Sequence, residues 1–198
     1  INYLKELTLN DRVLVFSHGD GDGLTSAAIL SEFLDERLIR HVSAFSSTIA
    51  VNILNQLVFD LLAETKANKL IVLDLNFNEA LFSKLSENNV NALVIDHHII
   101  NFAPKNIVYL NARGLTEGVA SVSALTFKIC ERAGLNKKIA WLALVGASSD
   151  RMLSASLELL DLTNFELQAF AAGNELDASF DYVVYALTAS YFDDSLNK

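Results

Sequence analysis

The chain has 198 residues, of which 52 % are hydrophobic, with eight glycines and a single proline. It is too apolar and too poor in chain breakers to be disordered, and long enough for one full core, so it reads as one ordinary domain or one lobe of a larger protein. A formal charge of -9, from 15 basic and 24 acidic residues, excludes a passive nucleic-acid coat held by a broad basic surface. It does not exclude an enzyme acting on phosphodiesters, because bound cations reverse the local sign of a carboxylate site.

Asp, Glu, Lys, Asn or His interrupts every apolar run before the roughly 18 residues that a spanning helix needs. No charged segment leads into an apolar one as in a signal peptide. A soluble, cytoplasmic protein without a membrane partner is expected. The lone cysteine, Cys130, excludes an internal disulfide framework and any Cys-based zinc site, in keeping with a reducing compartment. The start at Ile1 rather than Met reads as a piece of a longer chain.

Short β-rich apolar runs alternate with stretches of helical period. Strands are expected at residues 12–17, 40–45, 69–74, 91–96 and 107–111, and helices at 25–37, 48–67, 78–88, 119–133, 137–147 and 155–172. This predicts an α/β fold: a doubly wound, mainly parallel five-stranded sheet with helices on both faces. The runs LVFS, IVLDL and LVIDH are nearly continuous in Val, Ile and Leu, as in strands covered on both sides. No repeat, low-complexity tract or linker divides residues 1–198, which are read as a single domain.

In such a sheet, ligands bind outside the carboxyl ends of the strands, and here those ends carry acid and imidazole. The first strand runs into His18-Gly19-Asp20-Gly21-Asp22-Gly23, the third ends at Asp74, and the fourth ends at Asp96-His97-His98. Three of the four histidines fall in these turns; His41, in the second strand, stands alone and reads as a surface or sheet residue. An isolated D-G-D-G is equally an ordinary strand-to-helix turn in which Asp22 or Thr25 caps the next helix. A lone Asp74 is more often a loop residue than a ligand, and a lone Asp150, in Gly146-Ala147-Ser148-Ser149-Asp150, a helix-end residue. Neither standard phosphate loop is present. If the helix before Asp150 packs against the sheet edge, Asp20, Asp22, Asp74, His97 and Asp150 share one crevice, and their mutual repulsion then calls for cations. Oxygen donors with some imidazole suit Mn²⁺ or Mg²⁺, and there are donors for two ions, the arrangement used for phosphoester hydrolysis.

The four motifs SHGDGDG, IVLDL, VIDHH and GASSD, in this order, resemble those of the DHH phosphoesterase superfamily, whose name Asp96-His97-His98 spells. The resemblance runs from about residue 12 to 150. SHGDGDGLTSAAIL is most similar to the RecJ-like branch, especially the archaeal nucleases associated with the GINS replication complex. The resemblance implies that Asp20 binds one metal, Asp22 and His97 the other, that Asp74 bridges them and that Asp150 is a further ligand. His98 then faces substrate or supports a ligand, His18 is a ligand or supports one, and Asp96 orients a neighbouring imidazole. The small-molecule branches place a histidine four residues before the first Asp, where this chain has Phe16.

Asn111-Ala112-Arg113-Gly114 stands where many relatives have Asn-Pro. Arg113 can meet a substrate phosphate, although solvated surface charge is the commoner reading of such a residue. Ser121 and Ser123 are read as helix-start residues without a catalytic role. Relatives carry a second, substrate-binding domain. Residues 151–198 contain no Gly-Gly-x-His segment or basic cluster and are read as C-terminal helices leading toward such a domain. A partner surface is expected if Phe180, Tyr182, Tyr185, Tyr191 and Phe192 are left uncovered.

The resemblance implies a two-metal exonuclease of single-stranded DNA or RNA. The alternatives are a replication scaffold of the same fold that binds GINS, and a phosphoesterase of small molecules or short oligonucleotides. Metal binding and cleavage of a single strand separate the first two, and Phe16 weighs against the third.

Overall fold

The computed structural model describes residues 2–47, 51–75, 79–100, 107–115 and 120–152, together with Ser156 and Leu159. In chain order the elements are α1 (Asn2–Lys5), β1 (Arg12–His18), α2 (Gly21–Glu36), β2 (Arg40–Ser46), α3 (Val51–Thr65), β3 (Lys69–Leu73), α4 (Glu79–Glu87), β4 (Ala92–Asp96), β5 (Val108–Asn111), α5 (Ala112–Leu115) and α6 (Val122–Arg132). A 3-10 turn at Lys137–Ile139 then leads into α7 (Ala140–Ser149). The expected helix at 155–172 and the aromatic residues at 180–192 lie outside the described residues, apart from Ser156 and Leu159.

The five strands form one sheet in the order β2-β1-β3-β4-β5, and every pairing is parallel. Alternate residues of each strand face opposite sides. Val13, Val15, Ile71, Leu73, Leu93 and Ile95 pack with Ile29, Leu30 and Phe33 of α2, Phe127 of α6 and Leu144 of α7. Leu14, Phe16, Leu70, Val72 and Val94 pack with Leu54 and Val58 of α3 and with Leu81, Phe82 and Leu85 of α4. Helices therefore cover both faces of the sheet, which explains why the central strands are apolar at every position. Phe16 is fully buried on the α3 side, so the position four residues before Asp20 belongs to the core and not to the strand-end crevice.

Leaving β1, the chain enters β2 on one side and β3 on the other, so the order reverses between β1 and β3. This switch point opens a crevice at the carboxyl ends of those strands. On the α2 side, α7 lies against α2 and α6 rather than against the sheet edge. Gly146 permits that closeness. A Cβ there would stand 2.3 Å from both the Ser123 and the Thr25 hydroxyl oxygens, and both hydroxyls are committed, to the Ala143 and Gly21 carbonyls respectively.

Replacing a mid-helix glycine by alanine ordinarily stabilises by about 0.5–1 kcal/mol. Gly146→Ala is expected instead to destabilise by about 1–3 kcal/mol through overpacking. A urea denaturation curve measures the sign.

Candidate metal centre

The turn from β1 into α2 is set by Asp20, whose side chain accepts the Gly23 N–H at 2.9 Å and caps α2. The cap is thus Asp20, and neither Asp22 nor Thr25, and α2 begins four residues earlier than its apolar period suggests. Gly23 is required here: a Cβ would stand 2.4 Å from the His18 carbonyl oxygen. The tight turn brings the His18 Nδ1 to 2.7 Å from Asp20 and 4.0 Å from Asp74.

Asp74 follows β3 with a φ of 56°, a left-handed conformation that Asp tolerates better than most residues. The strand therefore stops at Leu73. Asp74 is 2 % exposed, and its Oδ1 accepts no hydrogen bond. The His97 Nε2 stands 3.4 Å from that oxygen and 3.3 Å from Asp150. The His98 Nδ1 is 4.0 Å from Asp74 and 2.7 Å from Asp96. The same Asp96 oxygen also accepts the backbone N–H groups of His97 and His98.

Asp22, in the first turn of α2, is fully buried. Its two oxygens accept the N–H groups of Val122 and Ser123 at 2.7 and 2.9 Å. These are free donors in the first turn of α6, where the helix dipole favours an anion. Ser121 caps α6, as its position before the apolar run suggests. Ser123 does more than start the helix, because its N–H holds Asp22 and its hydroxyl donates to Ala143 of α7.

Donor atoms fall into three triads, each within 4.8 Å: His18, Asp20 and Asp74; Asp74, His97 and His98; Asp22, His97 and Asp150. All seven of these expected site residues are therefore brought together. Arg113 lies beside them, its Nε donating to the His97 carbonyl. His41 takes no part in the cluster; its Nδ1 is 3.3 Å from the Ile39 carbonyl.

The electrostatics are those of crowded anions. Burial, then the charges of Asp22, Asp20 and Asp150, push Asp74 up to about 11. Burial, then Asp22 and Asp20, push Asp150 up to about 7. Asp22 is raised by burial against the opposing hydrogen bonds from α6. For Asp20, burial is outweighed by His18 and the Gly23 N–H, and its carboxyl titrates below the usual range. His18 is raised by its hydrogen bond to Asp20 and His98 by its bond to Asp96, whereas burial lowers His97. A divalent cation fits this donor set: the oxygen and imidazole ligands suit Mn²⁺ or Mg²⁺, and the buried Asp74, whose Oδ1 accepts no hydrogen bond, belongs to two of the triads.

A carboxyl raised in the folded state favours folding below its ordinary pKa and loses that advantage as pH climbs toward the folded value. For Asp150 the window runs from 3.8 to about 7, and for Asp74 it extends to about 11. His97, shifted downward, opposes the trend only near its own titration. The metal-free protein is therefore expected to lose melting temperature as pH rises from about 4 to 7, and saturating Mn²⁺ to raise it more at neutral than at acidic pH. Calorimetric scans with and without Mn²⁺ check this; a metal-free melting temperature that climbs over the window would contradict it.

The family model for the DHH family, N-terminal domain, matches residues 12–147. The uncharacterized protein MJ0831 of Methanocaldococcus jannaschii is 29 % identical over 114 residues, which are 54 % of this chain and 26 % of that protein. Among solved structures, exonuclease RecJ bound to manganese superposes with a TM-score of 0.64 at 23 % identity, covering 80 % of this chain and 45 % of RecJ. CDC45 from Entamoeba histolytica superposes with a TM-score of 0.60 at 13 % identity, covering 81 % of this chain and 35 % of CDC45. This chain thus spans less than half of each of these relatives, and the all-parallel sheet is the fold of the DHH domain of RecJ. The family model spans most of the chain, from β1 into α7, and on that basis the chain belongs to the DHH family and carries its N-terminal domain.

Proposed function

We propose that this domain is a two-metal phosphodiesterase that works as a RecJ-like exonuclease on single-stranded DNA or RNA. The observation that carries the reading is the buried Asp74 carboxylate, whose Oδ1 accepts no hydrogen bond and which is grouped with His18 and Asp20 and with His97 and His98 at the switch point of the sheet. In this reading His18, Asp20 and Asp74 would hold one ion, Asp22, His97 and Asp150 would hold the other, and Asp74 would serve both. When bound, the ions supply Lewis-acid polarisation of a phosphoryl oxygen and an acidified water.

The remaining work falls to the chain's own groups. Asp96 accepts a hydrogen bond from the His98 Nδ1–H at 2.7 Å, which fixes the ring and holds its pKa above the ordinary value. The proton that His98 can offer a phosphate or leaving oxygen is then on Nε2. α7 carries Asp150 to within 3.3 Å of the His97 Nε2, and its close packing on α2 and α6 keeps that carboxylate in place.

A second reading is a replication-complex scaffold that binds GINS and hydrolyses weakly or not at all; the structural likeness to CDC45 favours it. The acidic cluster weighs against it, because so many buried like charges are a liability without a cation to neutralise them.

End-labelled single-stranded DNA and RNA, incubated with the protein and Mn²⁺, test the reading. The wild type is expected to shorten one or both, and Asp74→Asn to lower the rate by at least ~100-fold, since metal stabilisation of developing charge contributes several kcal/mol. Asn keeps the shape and the tolerance for a left-handed conformation. Asp74→Asn is also expected to raise the melting temperature of the metal-free protein at pH 7, because it removes the most strongly repelled carboxyl. An undiminished rate in that variant would sink the two-metal reading, whereas confirmed Mn²⁺ binding without cleavage would favour the scaffold.

A further inference from the structure

β4 ends at Asp96, so the peptide groups of His97 and His98 lie beyond the sheet ladder and need other partners. All four find them. Asp96 accepts both N–H groups, at 2.8 and 3.2 Å. The register that pairs Asp96 with Asn111 brings the end of β5 alongside. Asn111 Nδ2 donates to the His98 carbonyl at 2.8 Å and to the Tyr109 hydroxyl at 3.0 Å. Its Oδ1 accepts the Arg113 N–H at 2.9 Å, and the Arg113 Nε donates to the His97 carbonyl at 2.6 Å. The tandem histidines are thus gripped from one side by Asp96 and from the other by the corner joining β5 to α5.

We propose that Asn111 and Arg113 are positioning residues for the metal centre, fixing the His97 and His98 carbonyls so that the His97 Nε2 stands where Asp74 and Asp150 can share an ion with it. This rests on the two-metal reading above. It gives Arg113 a role through His97, in place of a role as a cation for substrate phosphate. The chemistry of the side chains supports the distinction. A phosphate contact needs only positive charge near the crevice, which lysine would supply. The bond to the His97 carbonyl comes from Nε, and lysine has no counterpart to that rigid, planar donor. His97 is 3.3–3.4 Å from two carboxylates, so a backbone shift of a fraction of an ångström changes both distances together, and sites of this kind lose function when their supporting groups are removed.

The test is titration of Mn²⁺ alone into wild type, Arg113→Lys and Asn111→Ala by calorimetry, alongside melting of the metal-free proteins. Loss of the supporting shell of a metal site typically lowers affinity by about 10–100-fold. Both variants are expected to show a loss in that range, with metal-free melting of Arg113→Lys close to wild type because the residue is exposed. On a single-stranded oligonucleotide, kcat is expected to fall with KM nearly unchanged. Wild-type Mn²⁺ affinity in Arg113→Lys, or a rise in KM alone, would overturn the positioning role while leaving the metal centre intact. Failure of the wild type to bind Mn²⁺ would overturn both. Should Asn111→Ala fail to fold, Arg113→Lys decides the question alone.

Discussion

Repulsion among carboxylates that the fold holds close together is the constraint on which the rest of this domain depends. Asp22 lies in the first turn of α2, while Asp20, Asp74 and Asp150 stand just outside α2, β3 and α7, and Asp22 and Asp74 are almost wholly removed from water. Each raises the cost of ionising its neighbours. A parallel sheet can bear that cost at its carboxyl edge, because the strands beneath are covered on both faces and the strain is confined to the turns. Left-handed backbone marks two of those turns, at Asp74 and at Arg151 directly after Asp150, and such conformations persist only where the surroundings over-determine them.

The layer formed by α2, α6 and α7 does the holding. Small and hydroxyl-bearing residues line its contacts: Thr25 and Ser26 on α2, Ser121 and Ser123 at the start of α6, Gly146 and Ser148 on α7. Close approach is possible because these side chains are short, and the hydroxyls of Thr25, Ser26 and Ser123 find carbonyls of their own or a neighbouring helix. Asp22 is the centre of this layer as well as an edge of the metal centre. A carboxylate that binds two helix amides and also faces a histidine and another aspartate cannot be altered for one purpose without disturbing the other.

Much of this was legible in the sequence. The five strands could be placed within a residue of their ends, the central three because buried parallel strands are continuous in Val, Ile and Leu and polar residues mark where they stop. The cluster itself was legible because Asp20, Asp74 and His97 each follow such a run and Asp150 ends an apolar helix. Short helices were not: α1 and α5 are single turns, too brief to show a period, and the 3-10 turn at Lys137–Ile139 merged with α7. The start of α2 was missed because Gly21, Asp22 and Gly23 carry no apolar signal, although Asp20 has the chemistry of a cap. The grip of Asn111 and Arg113 on the histidine carbonyls, and of Ser123 on both Asp22 and α7, joins residues far apart in the chain. Local periodicity holds no trace of such contacts.

The bond from Asp22 to α6 also orders events in time. Its amide partners lie 100 and 101 residues downstream, and so distant a contact closes only after much chain entropy has been spent. A ribosome delivering this chain from its N-terminus exposes Asp20 and Asp22 long before Val122 and Ser123 emerge. Until then the first acidic turn lacks the α6 donors and Asp150. The crevice therefore cannot be complete before Asp150 has emerged, and a cation arriving earlier meets an unfinished donor set.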